Sequence, residues 1–126
     1  MSLRCVFTAV MLVGAAAGAA SAPGTAQNFL DRAERLKAKG PLAFFDSDYG
    51  RLRDEATAAG KSLEQERIAA ERSGKPIYYC SPSPRAELGS LEFVSGLETI
   101  PPPERAHLDL KQAMLRILQR KYPCRS

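Results

Sequence analysis

Residues 79–124 read YCSPSPRAELGSLEFVSGLETIPPPERAHLDLKQAMLRILQRKYPC. Two cysteines, Cys80 and Cys124, bracket the stretch, and two helical patterns lie between them. In the second, Leu110, Ala113, Met114, Ile117 and Leu118 recur at i, i+3, i+4, i+7 and i+8, with Tyr122 one turn on, an apolar face that one helix can bury. Asp109 stands at the N-cap position, and Gln112 three residues later completes a capping box. Arg116, Arg120 and Lys121 suit the negative end of the helix dipole, and Pro123 closes the helix. The first pattern begins at Ser90, a capping residue, and turns Leu91, Val94, Leu97 and Phe93 inward. Pro101, Pro102 and Pro103 end it in a stiff polyproline-like loop that carries charged Glu104 and Arg105.

Upstream, Ile77-Tyr78-Tyr79-Cys80 is too short and aromatic for a helix and reads as extended. Pro82 and Pro84 keep the following residues out of helical geometry. Before it runs the longest helix, capped by Asp46, Ser47 or Asp48 and reaching about Ser73. Gly74 ends that helix and Pro76 prevents its return. Its inward positions are Tyr49, Leu52, Ala56, Ala59, Leu63, Glu66 and Ala70. The small residues Ala56, Ala59 and Gly60 admit a close neighbouring helix; internal packing is their first use and a homodimer their second. Arg51, Arg53, Asp54, Glu55, Lys61, Glu64, Arg67, Glu71 and Arg72 form a charged face of the ordinary solvated kind.

Earlier still, Thr25 or Asn28 caps a helix to about Lys39, with Phe29, Leu30, Ala33 and Leu36 as its stripe and Gly40-Pro41 as its stop. Pro41-Leu42-Ala43-Phe44-Phe45 is a short apolar segment, one helical turn long. Phe44 and Phe45 are expected to plug the core.

The first residues are of another kind. Met1-Ser2-Leu3-Arg4 is a positive n-region, Cys5–Val13 an apolar h-region, and Gly14–Ala22 a tract of small residues, the plan of a secretory signal peptide. The run lacks the length and flanks of a membrane span. The signal is expected over residues 1–26, with cleavage between 20 and 26; Ala20-Ser21-Ala22 fits the A-x-A pattern, but Pro23 would follow that cut. The expected product is a soluble, exported, periplasmic domain over 27–126. Loss of Arg4 lowers the formal charge of the 126-residue chain from +4 by one. Cys80 and Cys124 then remain as an even pair, which in an exported chain reads as a disulfide. The expected fold is all-α, a single-domain bundle of about four helices with one staple.

The mild positive charge is mixed with acids, and tryptophan is absent, so no nucleic-acid face is expected. A search for chemistry yields little. The single histidine, His107, has no free cysteine beside it to activate once the bridge forms. No nucleophile motif of the G-x-S-x-G type is present. Asp46-Ser47-Asp48 followed by Gly50 faintly suggests a calcium loop, but the later ligands do not follow and helix capping explains the residues. Metal-ligand spacings and phosphate-cradling glycine loops are missing, so neither cofactor nor metal is expected. The chain reads as a binding protein and not as an enzyme.

Tyr79-Cys80-Ser81-Pro82, Leu88-Gly89, a helix, Pro103-Glu104-Arg105, a leucine- and alanine-rich helix and the terminal Tyr122-Pro123-Cys124 together resemble the Rap/Tai immunity family. Its members are small, exported, helical and disulfide-bonded. They protect bacteria from peptidoglycan amidase effectors that type VI secretion delivers to the periplasm, often as homodimers. The resemblance covers residues 79–126 and the leader. Family members commonly carry a further cysteine in the preceding helix; Gly50–Ser73 has none, so at most one bridge carries over. The resemblance implies a partner, a peptidoglycan amidase effector, and inhibition by occlusion of its catalytic cysteine and histidine. Pro101, Pro102, Pro103, Glu104 and Arg105 are the first candidates for the occluding loop, since preordered prolines lose little entropy on docking. Ser81–Glu87 is second. An envelope interaction protein that shares the fold is the alternative.

Overall fold

The computed structural model describes residues 21–125. Residues 1–20 of the leader expected over 1–26 lie outside the described residues. The Thr25 hydroxyl accepts from the Asn28 N–H at 3.1 Å and starts α1, Ala26–Ala38. Phe29, Leu30 and Leu36 point inward from it, Phe29 meeting Phe93 edge-on with centroids 5.3 Å apart. A 3-10 turn over Gly40–Phe45 leads to α2, Ser47–Ser73, capped by the Asp46 carboxylate and closed by Gly74 in the left-handed conformation. After an extended segment come α3, Ser90–Thr99, then α4, Pro102–Arg105, and α5, Leu110–Lys121. Among the described residues the helices are joined by one isolated β-bridge and no strand.

The fold is all-α. α5 lies against α2 and α3, and α1 packs across the same two helices. The core gathers Phe29, Leu30, Leu52, Leu63, Tyr79, Phe93, Leu97, Ile100, Met114, Ile117 and Leu118. Leu30 and Leu97 are the largest side chains fully removed from water, each worth about 1.5–3 kcal/mol of transfer free energy. Ala59 and Gly60 do face a neighbouring helix within the chain: a Cβ on Gly60 would stand 3.5 Å from the Met114 sulfur, in ordinary contact. The tighter crossing is α3 on α5, where a Cβ on Gly96 would stand 2.8 Å from Ile117 Cδ1. Cys80 and Cys124 are bonded, S–S 2.04 Å.

Six expectations need correction. Gly89, not Ser90, is the cap of α3, and Ser90 is its first helical residue. Tyr49 is 39% exposed at the start of α2 and not turned into the core. Phe44 and Phe45 do not plug the core; they are 69% and 88% exposed. At three residues per turn Leu42 and Phe45 share a side, and Ala43 alone of that turn packs against the core. Leu91 is 83% exposed because Phe93 takes the inward place, and two helical residues lie roughly 200° apart around the axis. Glu66 also faces water; where it passes α5 that helix has only its first turn, and Lys111 there forms an ion pair with it. Finally, Pro101–Arg105 is not a polyproline loop. Pro102 and Pro103 occupy the first positions of a helical turn, where a missing N–H leaves nothing unpaired, and the Glu104 and Arg105 N–H groups donate to the Pro101 carbonyl.

Candidate functional site

The end of α5 holds a strap. Beside the disulfide, the Cys80 N–H donates to the Tyr122 carbonyl at 2.8 Å. At the other end of the strap the Tyr122 hydroxyl donates to the Glu87 carbonyl at 3.0 Å and accepts from the Glu87 N–H at 3.2 Å. Lys121 adds a bond to the same carbonyl and an ion pair to Glu92. Prolines prevent residues 81–85 from coiling into a helix, and the Ser83–Pro84 peptide is cis. The second candidate segment, Ser81–Glu87, is thus a pinned strap with Arg85 exposed on it and Ala86 half-buried beneath.

That strap forms one wall of an open cleft of about 960 Å³. The other wall is α2 from Tyr49 to Gln65, and α1 contributes Phe29, Ala33 and Leu36. Phe93, Met114 and Leu118 form the apolar floor. Cations stand on both lips: Arg53 and Lys61 on α2, Arg85 on the strap. Among the described residues these three make no ion pair, whereas Arg67 is bound to Glu64 and Glu71. By sequence Arg53 and Lys61 belong to a plain solvated face; only the strap makes that face a wall.

Glu64 sits at the bottom edge of the cleft. Its carboxylate accepts from Arg67 and, at 2.8 Å, from the Tyr79 hydroxyl. The Arg67 guanidinium, helped by that hydroxyl, holds Glu64 below the usual carboxylate range. Burial, with the neighbouring carboxylate, pushes the Tyr79 phenol up to about 12. Glu64 is ionised and internally paired, so the uncommitted charge around the cleft is mainly positive.

One end of the cleft opens onto an apolar patch. Tyr49 lines it and stacks edge-on with Phe44, centroids 5.3 Å apart; Leu42 and Phe45 lie exposed on the same turn. The run Pro41–Phe45 carries the sequence signal for this patch, but hydrophobicity alone points it to the core.

The residues first singled out lie elsewhere. Pro101, Pro102, Pro103 and Glu104 are exposed and do not line the cleft, and Glu104 pairs with Arg116 at 2.8 Å. Arg105 is turned inward. Its Nη1 donates to the carbonyls of Leu97, Glu98 and Ile100, and its Nε to Gln27 on α1, which fastens the end of α3 to α1. His107 is exposed and lines no cleft. Asp46 and Asp48 of the faint calcium motif are engaged by Lys39 and Arg32. Among the described residues no cluster of three or more His, Cys, Asp or Glu is placed to hold a metal, and no helix is long and apolar enough to cross a membrane. Compared with models of protein families, with curated proteins and with solved structures, the chain has no significant match.

Proposed function

We propose that the chain is a periplasmic, immunity-type protein that binds a peptidoglycan amidase effector and occludes its active site. The resemblance of residues 79–126 to the Rap/Tai family suggests the role. The observation that carries a binding role is the exposure of Leu42, Phe44 and Phe45 on one short turn, with Phe44 stacked on Tyr49 of the cleft wall. Water penalises such a surface, and large exposed apolar groups that lie together mark interaction sites. Aromatic side chains are also the commonest anchors of protein interfaces. The aromatic turn is therefore the first docking surface and the exposed Pro101–Glu104 turn the second.

The test is an amidase assay on peptidoglycan with a type VI effector and the oxidised protein. Expected is stoichiometric inhibition, lost in a Phe44→Ser, Phe45→Ser double variant whose melting temperature is unchanged. No inhibition of any amidase supplied would overturn the proposal. A second reading, a non-catalytic envelope interaction protein, draws on Arg105. Its guanidinium is committed to the α3 carbonyls, which removes one charge from the turn first expected to enter an amidase cleft. Capture of a different envelope protein through the aromatic turn would support that reading.

A further inference from the structure

The cleft has a form that fits a defined class of partner segment. Its α2 wall runs from Tyr49 to Gln65, more than four helical turns or roughly 24 Å at 1.5 Å per residue. Arg53 and Lys61 stand on that lip eight positions apart, roughly 12 Å, with Arg85 on the facing lip. A single-headed lipid would need a cation at one end only. Cations on both lips and along the length match a rod that carries acids on both sides of an apolar stripe. We propose that this cleft receives an acidic amphipathic helix of a partner protein, its apolar stripe on Phe93, Met114 and Leu118 and its flanking carboxylates on Arg53, Lys61 and Arg85. The mode is helix-in-groove recognition, with the rim charges setting orientation and partner choice. The exposed Phe44 beside Tyr49 lengthens the apolar track at one end.

Charge facing the helix comes from every side of the cleft. Glu64 is held by Arg67 and Tyr79. Glu87 is the one acid on the strap side of the lining that makes no ion pair among the described residues. Three cations against it leave the rim positive. The proposal rests on the chain being a partner-binding protein, but not on the partner being an amidase.

The experiment is fluorescence anisotropy with the oxidised protein and three labelled 18-residue probe peptides. The first has leucines at helical i, i+3, i+4, i+7 spacing flanked by glutamates; the second has lysines for the glutamates; the third has serines for the leucines. Expected is saturable binding of the acidic probe, at least tenfold tighter than either control and weakened by salt. Charge reversal by Arg53→Glu, Lys61→Glu and Arg85→Glu together, all at exposed positions, should invert the preference toward the lysine peptide. Thr57→Trp, from another exposed position on the wall, should block the acidic probe with the melting temperature retained. Equal binding of acidic and basic probes, no saturation by the acidic probe up to millimolar concentration, or an unaffected charge-reversed variant would overturn the proposal. So would saturable binding of palmitate that the acidic peptide cannot displace. Amidase inhibition is scored in parallel: inhibition without discrimination among the three peptides sinks the helix proposal alone, whereas selective binding of the acidic peptide without inhibition sinks the amidase reading alone.

Discussion

Thr25 and Asp109 face each other in an isolated antiparallel bridge, and each is also the cap of a helix. The Ala26 N–H donates to the Leu108 carbonyl at 2.9 Å and the Leu110 N–H to the Gly24 carbonyl at 3.2 Å. The bridge brings the positive ends of α1 and α5 together. The Asp109 carboxylate, which accepts from the Gln112 N–H at 2.7 Å, supplies the negative charge that such a junction favours. Asp109→Ala is expected to cost about 1–2 kcal/mol and Thr25→Ala about 1 kcal/mol. Because the caps share the bridge, their double variant should depart from additivity. Urea denaturation checks this; a loss below a few tenths for Asp109→Ala would count against the junction. The bridge also means that a leader cut after Ala20 leaves Gly24, Thr25 and Ala26 in place, while a cut after Ala26 removes them.

Gly96 permits the close crossing of α3 and α5. In Gly96→Ala the new methyl meets Ile117 Cδ1 at 2.8 Å and Cγ1 at 2.9 Å. Overpacking of about 1–3 kcal/mol outweighs the gain of about 1 kcal/mol from helix propensity. In an Ile117→Ala background, which lacks Cδ1, Cγ1 and Cγ2, the same substitution should be close to neutral. Thermal melts of the four proteins in this cycle measure it. Equal penalties in both backgrounds would show that Ile117 is not the obstacle.

Reduction of Cys80–Cys124, which closes a loop of sequence separation 44, should lower stability. Chain entropy puts the loss at about 4 kcal/mol. Urea midpoints with and without reductant measure it, and a Cys80→Ser, Cys124→Ser variant should match the reduced protein. Because the bridge anchors one end of the strap, reduction should also weaken whatever the cleft binds.

Tyr79 and Glu64 predict opposite limbs of a pH profile. The Tyr79 phenol ionises near 12 in the fold against an ordinary value of 10.0. A raised acid pKa means stability is full below pH 10 and falls between pH 10 and 12, by about 2–3 kcal/mol. Glu64 is shifted down by Arg67. Its contribution is present above the usual carboxylate range and is lost as pH falls below about 4. Tyr79→Phe should remove the alkaline limb of the difference in denaturation midpoints. A limb of equal size in that variant would assign it to other groups.

Arg105→Ala should destabilise by about 1.5–3 kcal/mol, since it strips the carbonyls at the end of α3 of a charged donor. Arg105→Lys should restore part of the loss but not the forked geometry. Unchanged stability in Arg105→Ala would return the side chain to the list of surface residues free to meet a partner.

Much of the fold was legible because its signals are local. The Asp109–Gln112 box, the Gly74 stop and the apolar spacing of α5 depend on residues within a few turns, and the structure has them all; of the capping pair Thr25 or Asn28 it uses Thr25, and of Asp46, Ser47 or Asp48 it uses Asp46. The misreadings share a cause. Phe44, Phe45 and Leu91 are hydrophobic, and hydrophobicity alone does not say which side of a short turn or helix faces a neighbour. Glu66 kept the period of its seam at a place where the facing helix had only begun.

The amino-acid sequence by itself determined the four longer helices, most of their ends and the cysteine pair, since caps, periodicity and chain-breaking residues act over a few positions. Only the tertiary structure decided that Arg105 fastens α3 to α1, that Gly96 gives way to Ile117, and that Tyr122 pins the strap. It also decided that Arg53, Lys61 and Arg85 border one apolar cleft beside Phe44. The physical reason is that those relationships join residues far apart in the chain. Their energies are set by where whole helices pack, and a local pattern carries no information about that.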